Sequence, residues 1–369
     1  MSQDSREIEK LFFAMGKANA SDLHLKAGSA PIMRIDKRIR RVETQPLTDE
    51  AIWALVGPIL PEEVKKRFVQ TGNVDFAHSV PGVGRFRIDI YRQRGSISVA
   101  ARRVRFDIPT LKQLNLPPSL EKFTVFEQGL CIIAGPTGCG KSTTLAAMLD
   151  GVNHTRRCHI LTIEDPIEYL YRDDMAFINQ REVGIDVESF QTGLKYGLRA
   201  DPDVILVGEM RDPDTFETAL QASETGHLVF GTVHASNAAQ TIGRILDLFP
   251  TERHDPIRQI LAFNLKAVAV QRLLPGSTQE ARMVPAVEVM FVNPAIKKLI
   301  RDGADEHIAD VIRGGKEEGM QDITTSIHQL VTSRLVSRAT AMEYAPNPEA
   351  LEMLMKGIVV GGSQGGILR

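Results

Sequence analysis

The stretch Gly135-Pro136-Thr137-Gly138-Cys139-Gly140-Lys141-Ser142 fits the pattern GxxxxGK[ST], and its surroundings suit it. Gly129 to Ala134 before it is a short apolar run of strand character. Ser142-Thr143-Thr144-Leu145-Ala146-Ala147-Met148-Leu149 after it opens a helix. Glycines let backbone amides turn towards a polyphosphate with no Cβ in the way. The following helix N-terminus adds partial positive charge. Lys141 is expected to reach the β- and γ-phosphates of ATP, and the Ser142 hydroxyl to ligate Mg²⁺, with Thr143 completing the nucleotide-binding stretch. Such a loop works only between a strand and a helix, so it predicts an α/β domain around itself.

The chain around the loop agrees. Cys158 to Ile163, Asp203 to Val207 and His227 to Thr232 are short, β-branched runs bounded by Gly, Pro or Asp. With Gly129 to Ala134 they alternate with helical patterns up to about residue 290, the mark of a largely parallel sheet with helices on both faces. Two of these runs end in acids. Val204-Ile205-Leu206-Val207-Gly208-Glu209 delivers a carboxylate at a strand end, where it can hold the Mg²⁺ shell or polarise an attacking water. An acid in an ordinary turn would read the same. Leu161-Thr162-Ile163-Glu164-Asp165-Pro166 sets two acids beside a proline, and Glu164 is a candidate general base. A solvated acidic loop is the alternative there. Gly226 to His234 carries His227 and His234 at its two ends. They are candidates for sensing a γ-phosphate or coupling subunits, against the ordinary reading of satisfied strand-end histidines.

Residues 1–107 read as a separate α+β unit. Ile8, Leu11, Phe12 and Met15 have helical spacing, and Asp22 to Leu25, Pro31 to Ile35 and Arg85 to Tyr91 alternate with period two. Asp49 to Gln70 reads as two helical pieces broken at Pro58 and Pro61. Arg85, Arg87, Arg92, Arg94, Arg102, Arg103 and Arg105 make this unit basic, as a solvated strand face or an anion site. A nucleic-acid groove would add stacking aromatics, and only Phe86, Tyr91 and Phe106 are near. The Pro-punctuated residues 108–118 are expected to link this unit to an ATPase core at 119–290. Residues 291–369 are expected to be helical and then, through Gly361 to Gly366, a flexible tail.

Bulk properties exclude little else. The 369 residues suit two or three domains, 43% are hydrophobic and 24% charged, and the formal net charge of -2 gives no bulk attraction to nucleic acid or anionic lipid. Cys131, Cys139 and Cys158 make neither a disulfide framework nor a zinc site. The polar N-terminus lacks a signal-peptide pattern, and no stretch approaches the roughly 18 apolar residues of a membrane span. A cytoplasmic protein, at most peripheral to a membrane through a partner, is the expectation.

Taken together, the motifs resemble those of the secretion-superfamily hexameric ATPases, and within them the type IV pilus retraction ATPases. Leu198 to Asp212 resembles the signature stretch around Walker B, Glu164 to Tyr169 the Asp box, Gly226 to His234 the His box, and Ala20 to Leu25 the start of a PAS-like N-terminal domain. Ala295-Ile296-Lys297-Lys298-Leu299-Ile300-Arg301-Asp302 looks like the AIRNLIRE helix of the retraction branch. It has Lys297 and Lys298 for Arg and Asn, and Asp302 for Glu. Asp36-Lys37-Arg38 replaces a common glycine turn.

The resemblance implies a PAS-like α+β domain followed by a RecA-like P-loop ATPase domain with a helical C-terminal part. It implies ATP and Mg²⁺, with Ser142 and Glu209 on the metal and Glu164 as base. His227 and His234 would link the γ-phosphate to a subunit interface. Arg85, with one of Arg87, Arg102 or Arg103, would reach the nucleotide, and Arg102 is the residue preferred. A homohexamer is implied, acting on an inner-membrane platform protein of the PilC type, with a PilU-type ATPase as a further partner and no nucleic acid. Domain motion would hinge near 108–118. An accessory retraction ATPase, an assembly or secretion ATPase, a DNA translocase and a non-hydrolysing scaffold are the competing readings. The assembly and secretion relatives carry a long N-terminal extension and a tetracysteine zinc insert, which this sequence does not show.

Overall fold

The structure is a computed structural model that describes residues 5–35, 38–104, 106–278 and 281–357. Asp36, Lys37, Arg105 and the Gly361 to Gly366 stretch, all singled out above, lie outside these residues. The described chain divides into two compact units. One runs to Asp107 and takes in Glu168–Leu170; the other holds the rest from Ile108 on.

The first unit is one antiparallel sheet of six strands with helices packed on one face. The strands are β1 (Asp22–Lys26), β2 (Ile32–Ile35), β3 (Arg38–Arg41), β4 (Asn73–Val80), β5 (Gly84–Gln93) and β6 (Ser96–Arg103), ordered β3-β2-β1-β6-β5-β4. The amphipathic helix Ser5–Lys17 buries Ile8, Phe12 and Met15, and Phe12 stacks on Phe86 of β5 with ring centroids 4.2 Å apart. Period-two alternation puts Phe86, Ile88 and Ile90 in that core and turns Arg85, Arg87 and Asp89 to the other face. The helical stretch at 49–71 breaks where the prolines require: Asp49–Val56 is followed by a 3₁₀ turn through Pro58 and a new helix Glu62–Thr71 after Pro61.

The second unit is a seven-stranded sheet ordered β13-β12-β7-β11-β10-β8-β9. Its strands are β7 (Gly129–Ala134), β8 (His159–Glu164), β9 (Phe177–Glu182), β10 (Val204–Val207), β11 (Leu228–Val233), β12 (Leu265–Pro275) and β13 (Met283–Phe291). All neighbouring strands are parallel except β12 and β13, which form an antiparallel hairpin at one edge. Pro285 is tolerated in β13 because β13 is the edge strand of the sheet.

Alternate residues of β7 feed two cores. Leu130, Ile132 and Ala134 pack with Phe216, Ile242 and Ile257 on one side, while Cys131 and Ile133 pack with Leu145, Met148 and Val152 on the other. Burial on both faces explains why these strands read as continuous apolar runs. Each such Leu, Ile or Phe contributes about 1.5–3 kcal/mol when fully buried.

The C-terminal helices do not stand apart. Ile296, Ile300, Ile308 and Ile312 enter the first of these two cores. Ile327, Leu330, Ala341 and Leu351 cover Leu274, Val284 and Ala286 of the β12–β13 hairpin. The helix Pro294–Asp302 therefore does pack its apolar stripe inward, leaving Lys297, Lys298 and Arg301 exposed.

Candidate nucleotide site

Six parallel strands end along one edge of the second sheet, and the chemistry-bearing residues are delivered there. β7 runs into the loop Gly135 to Gly140, which feeds the helix Lys141–Thr155. Gly135, Gly138 and Gly140 all have positive φ. A Cβ on Gly135 would lie 2.4 Å from the Gln271 carbonyl oxygen, so only glycine fits that close approach. Pro136, Thr137 and Gly138 form an exposed crest, Cys139 is buried beneath it, Lys141 and Thr143 are half-buried and Ser142 is exposed. Burial raises the Cys139 thiol pKa against the pull of Lys141, so it sits in the loop as a protonated, space-filling group. Lys141 Nζ donates to the Gly135 and Pro136 carbonyls at 2.9 and 3.2 Å, which curls the ammonium over the loop.

Next to β7 is β11, and beyond it β10 and β8, so their C-terminal ends are neighbours. Gly208 N donates to Ile163 O at 2.8 Å. A Cβ on Gly208 would come within 3.3 Å of the Glu164 Cα. That tight crossing sets Glu209 and Glu164 at adjoining strand ends. Glu164 Oε1 accepts from the Thr162 hydroxyl at 2.6 Å and the Gln180 amide at 3.1 Å, which fixes the direction of its carboxylate. Glu209 accepts from Arg211 and lies 3.1 Å from His234 Nε2. The Arg211 hydrogen bond, outweighing burial, holds the Glu209 carboxyl below the usual glutamate range, with His234 adding to the effect. Glu209 is thus an anion tied to the histidine that ends β11.

His227 is not brought to this edge. It precedes β11, its carbonyl accepts from Gly129 N at 3.0 Å at the start of β7, and its Nδ1 lies 2.9 Å from Ala222 O. The six residues of β11 separate the two histidines, about 20 Å at the rise of a strand. Within one chain, then, β11 places only His234 at the edge that carries the loop and the two acids, with His227 at the opposite end of the strand.

Among the arginines of the first unit, register makes a division that spacing did not. Arg87 pairs with Arg102 and Phe86 with Arg103, so Arg85, Arg87 and Arg102 share one face while Arg103 belongs to the row of Phe86. Arg103 donates to Asn19 at 3.4 Å. Arg102 donates to Asp22 at 2.8 Å.

Beside the loop, a cleft of about 520 Å³ is lined by Pro136, His234, Ser236, Arg244 and Arg272 among others. No group of three or more His, Cys, Asp or Glu suited to a metal occurs among the described residues.

Known proteins resemble this chain in sequence and in fold. The model of the family described as Type II/IV secretion system protein matches residues 101–345. A Pseudomonas aeruginosa protein named "Type IV pilus retractation ATPase PilT" is 41% identical over 343 residues, 93% of this chain and 99% of its own. The chain belongs to the Type II/IV secretion system protein family. "Type IV pilus ATPase PilU" of the same organism is 37% identical over 350 residues, 95% of this chain and 91% of its own. The crystal structure of "the Pilus Retraction Motor PilT and Bound ADP" superimposes with a TM-score of 0.86 at 41% identity, over 94% of this chain and 98% of that one. The Legionella pneumophila ATPase DotB shares the fold, with a TM-score of 0.77 at 22% identity.

As a member of this family the chain is an ATPase, and within the family it is a homologue of the pilus retraction ATPases. Several residues around its site were given no role by the motifs. Arg211, Thr162 and Gln180 orient the acids, and Gln271 and Arg272 approach from β12. Gln271 had a sequence signal: it is a lone amide in the apolar run from Ala267 to Leu274.

Proposed function

We propose that this chain is the ATP-driven motor of type IV pilus retraction. It works as a homohexamer in the cytoplasm, at the inner face of the membrane, against an inner-membrane platform protein of the PilC type. The observation that carries the reading is the gathering of the Lys141–Ser142 loop, Glu164 and the Glu209–His234 pair on one edge of a parallel sheet, in a homologue of a retraction ATPase.

In this reading Lys141 leaves the loop carbonyls to bind the β- and γ-phosphates, and the amides of Gly138 to Ser142 surround them. Ser142 and Glu209 would hold Mg²⁺, an ion that takes few ligands from the protein. When bound, it neutralises charge that builds on the phosphates. Glu164, aimed by Thr162 and Gln180, takes the proton of the attacking water. Arg85 and Arg102, which share one face of the first sheet, supply the further positive charge that phosphoryl transfer requires.

The test is deletion of the gene with a count of surface pili. Retraction predicts hyperpiliated, non-twitching cells, restored by the wild-type chain but not by Glu164→Gln or Glu209→Gln. Both purified variants should keep nucleotide binding and lose turnover by about 10²–10⁴-fold. Bald cells would make it an assembly ATPase. A deletion strain that still retracts, with reduced force, would favour an accessory role of the PilU type, which the 37% identity to that protein keeps in view.

A further inference from the structure

β12 flanks the phosphate loop on the side away from β11. Val270 pairs with Ala134, so Gln271 falls level with Gly135 where the loop begins. Gln271 is only 3% exposed, yet it carries an amide. Its Nε2 donates to the Cys139 carbonyl at 2.6 Å, and its Oε1 accepts from the Thr144 hydroxyl at 2.7 Å. Cys139 stands just before the end of the loop, and Thr144 lies in the first turn of the helix that follows. The same residue meets the loop's start, because its carbonyl oxygen occupies the space a Cβ on Gly135 would need. Its Nε2 likewise stands 2.9 Å from the Cβ position of Gly140. Arg272, next in the strand, donates to Ser236 O at 3.1 Å and so braces the segment after His234.

We propose that Gln271 is a positioning residue for nucleotide: its amide clamps Cys139 to Thr144 and fixes the phosphate loop before any phosphate arrives. It touches the loop and not the ligand. The physical reason is pre-organisation. A loop of glycines has many alternative conformations, and binding is stronger when their loss does not have to occur on binding. The amide suits the task because it donates and accepts at once. A buried amide also demands that both bonds be made. This role rests on the nucleotide reading above.

The experiment uses the full chain without nucleotide. Amide hydrogen exchange across 135–145 is compared among wild type, Gln271→Met, Gln271→Glu and Thr144→Val, and each is then titrated with ADP. The clamp predicts exchange faster by about tenfold in the loop of Gln271→Met, the core strands being unchanged, and ADP affinity lower by a similar factor. Gln271→Glu, which accepts from Thr144 but cannot donate to Cys139, should weaken ADP at least as much. Adding Thr144→Val to Gln271→Met should change little more, since both remove one shared bond. Unchanged loop exchange in Gln271→Met, or fully additive effects in the double variant, overturns the proposal. If Gln271→Met does not fold, Thr144→Val alone reports on the same clamp. If wild type fails to bind ADP, the nucleotide reading falls while the exchange data still decide on Gln271.

Discussion

Glu209 and His234 meet at 3.1 Å with Arg211 on the other carboxylate oxygen, so one anion is shared between two cationic or potentially cationic partners. A histidine in hydrogen-bond contact with an acid of the proposed nucleotide site responds to what that acid binds. His227, with its ring on the Ala222 carbonyl, serves a local turn. The two histidines should therefore separate in experiment. His234→Ala is expected to lower the ATPase rate by about 10²-fold, on the scale of a lost transition-state contact. His227→Ala should stay within about threefold of wild type in purified protein, its effect being confined to a lost hydrogen bond of about 0.5–1.5 kcal/mol. Steady-state ATPase assays on both variants check this, and equal, large losses would return His227 to the site.

At the level of elements, the β12–β13 hairpin joins the loop edge to the C-terminal helices. Glu288 of β13 is the buried carboxyl at that join. Its Oε1 accepts from Ala238 N at 2.7 Å at the start of the helix Ala238–Leu246. Burial pushes its pKa up, the Ala238 hydrogen bond opposing. A carboxyl raised in the folded state holds its proton more firmly there than in the unfolded chain. Through Glu288 the fold therefore gains stability as pH falls through the folded-state value towards the ordinary 4.5, and the gain is complete below that. Glu288→Gln removes this dependence. Melting temperatures of both proteins from neutral pH down to the ordinary glutamate range should show wild type improving relative to the variant. A constant difference would mean that Glu288 does not titrate in that window.

For the whole molecule, the second unit gathers its acids and its loop on one sheet edge, with Arg211, Arg244 and Arg272 close by. The first unit offers Arg85, Arg87 and Arg102 on one sheet face. The proposed motor uses them in a ring. Arg85→Ala and Arg102→Ala should each lower kcat by about 10³-fold, the scale of an arginine finger, with ADP affinity and oligomer mass retained. Arg103→Ala, on the face of Phe86, should cost no more than its hydrogen bond to Asn19 and leave kcat near wild type. Native mass spectrometry beside ATPase assays reads both quantities. Unaltered kcat in the first two variants would remove the first unit from the chemistry.

What could be read from the residues in order was whatever is local. Eight consecutive residues specify the phosphate loop, because each glycine's backbone freedom and the lysine's reach act within one turn. Apolar runs gave away β7, β8, β10 and β11, since strands buried on both faces show no alternation to confuse them. β9, as Phe177-Ile178-Asn179-Gln180-Arg181-Glu182, has too few apolar residues to announce itself. β12 carries a polar pair in its middle, and β13 a proline, so neither was picked out beforehand.

Tertiary structure alone decided which of the flagged residues meet. Glu209 and His234 lie 25 positions apart, and Gln271 reaches Cys139 across 132. Strand order and parallel register make those contacts and send His227 to the far edge. Hydrophobic pattern says which face of a strand is buried. It does not say which strand stands beside it, and that neighbour relation is what brings Glu164, Glu209 and His234 to the edge that carries the phosphate loop.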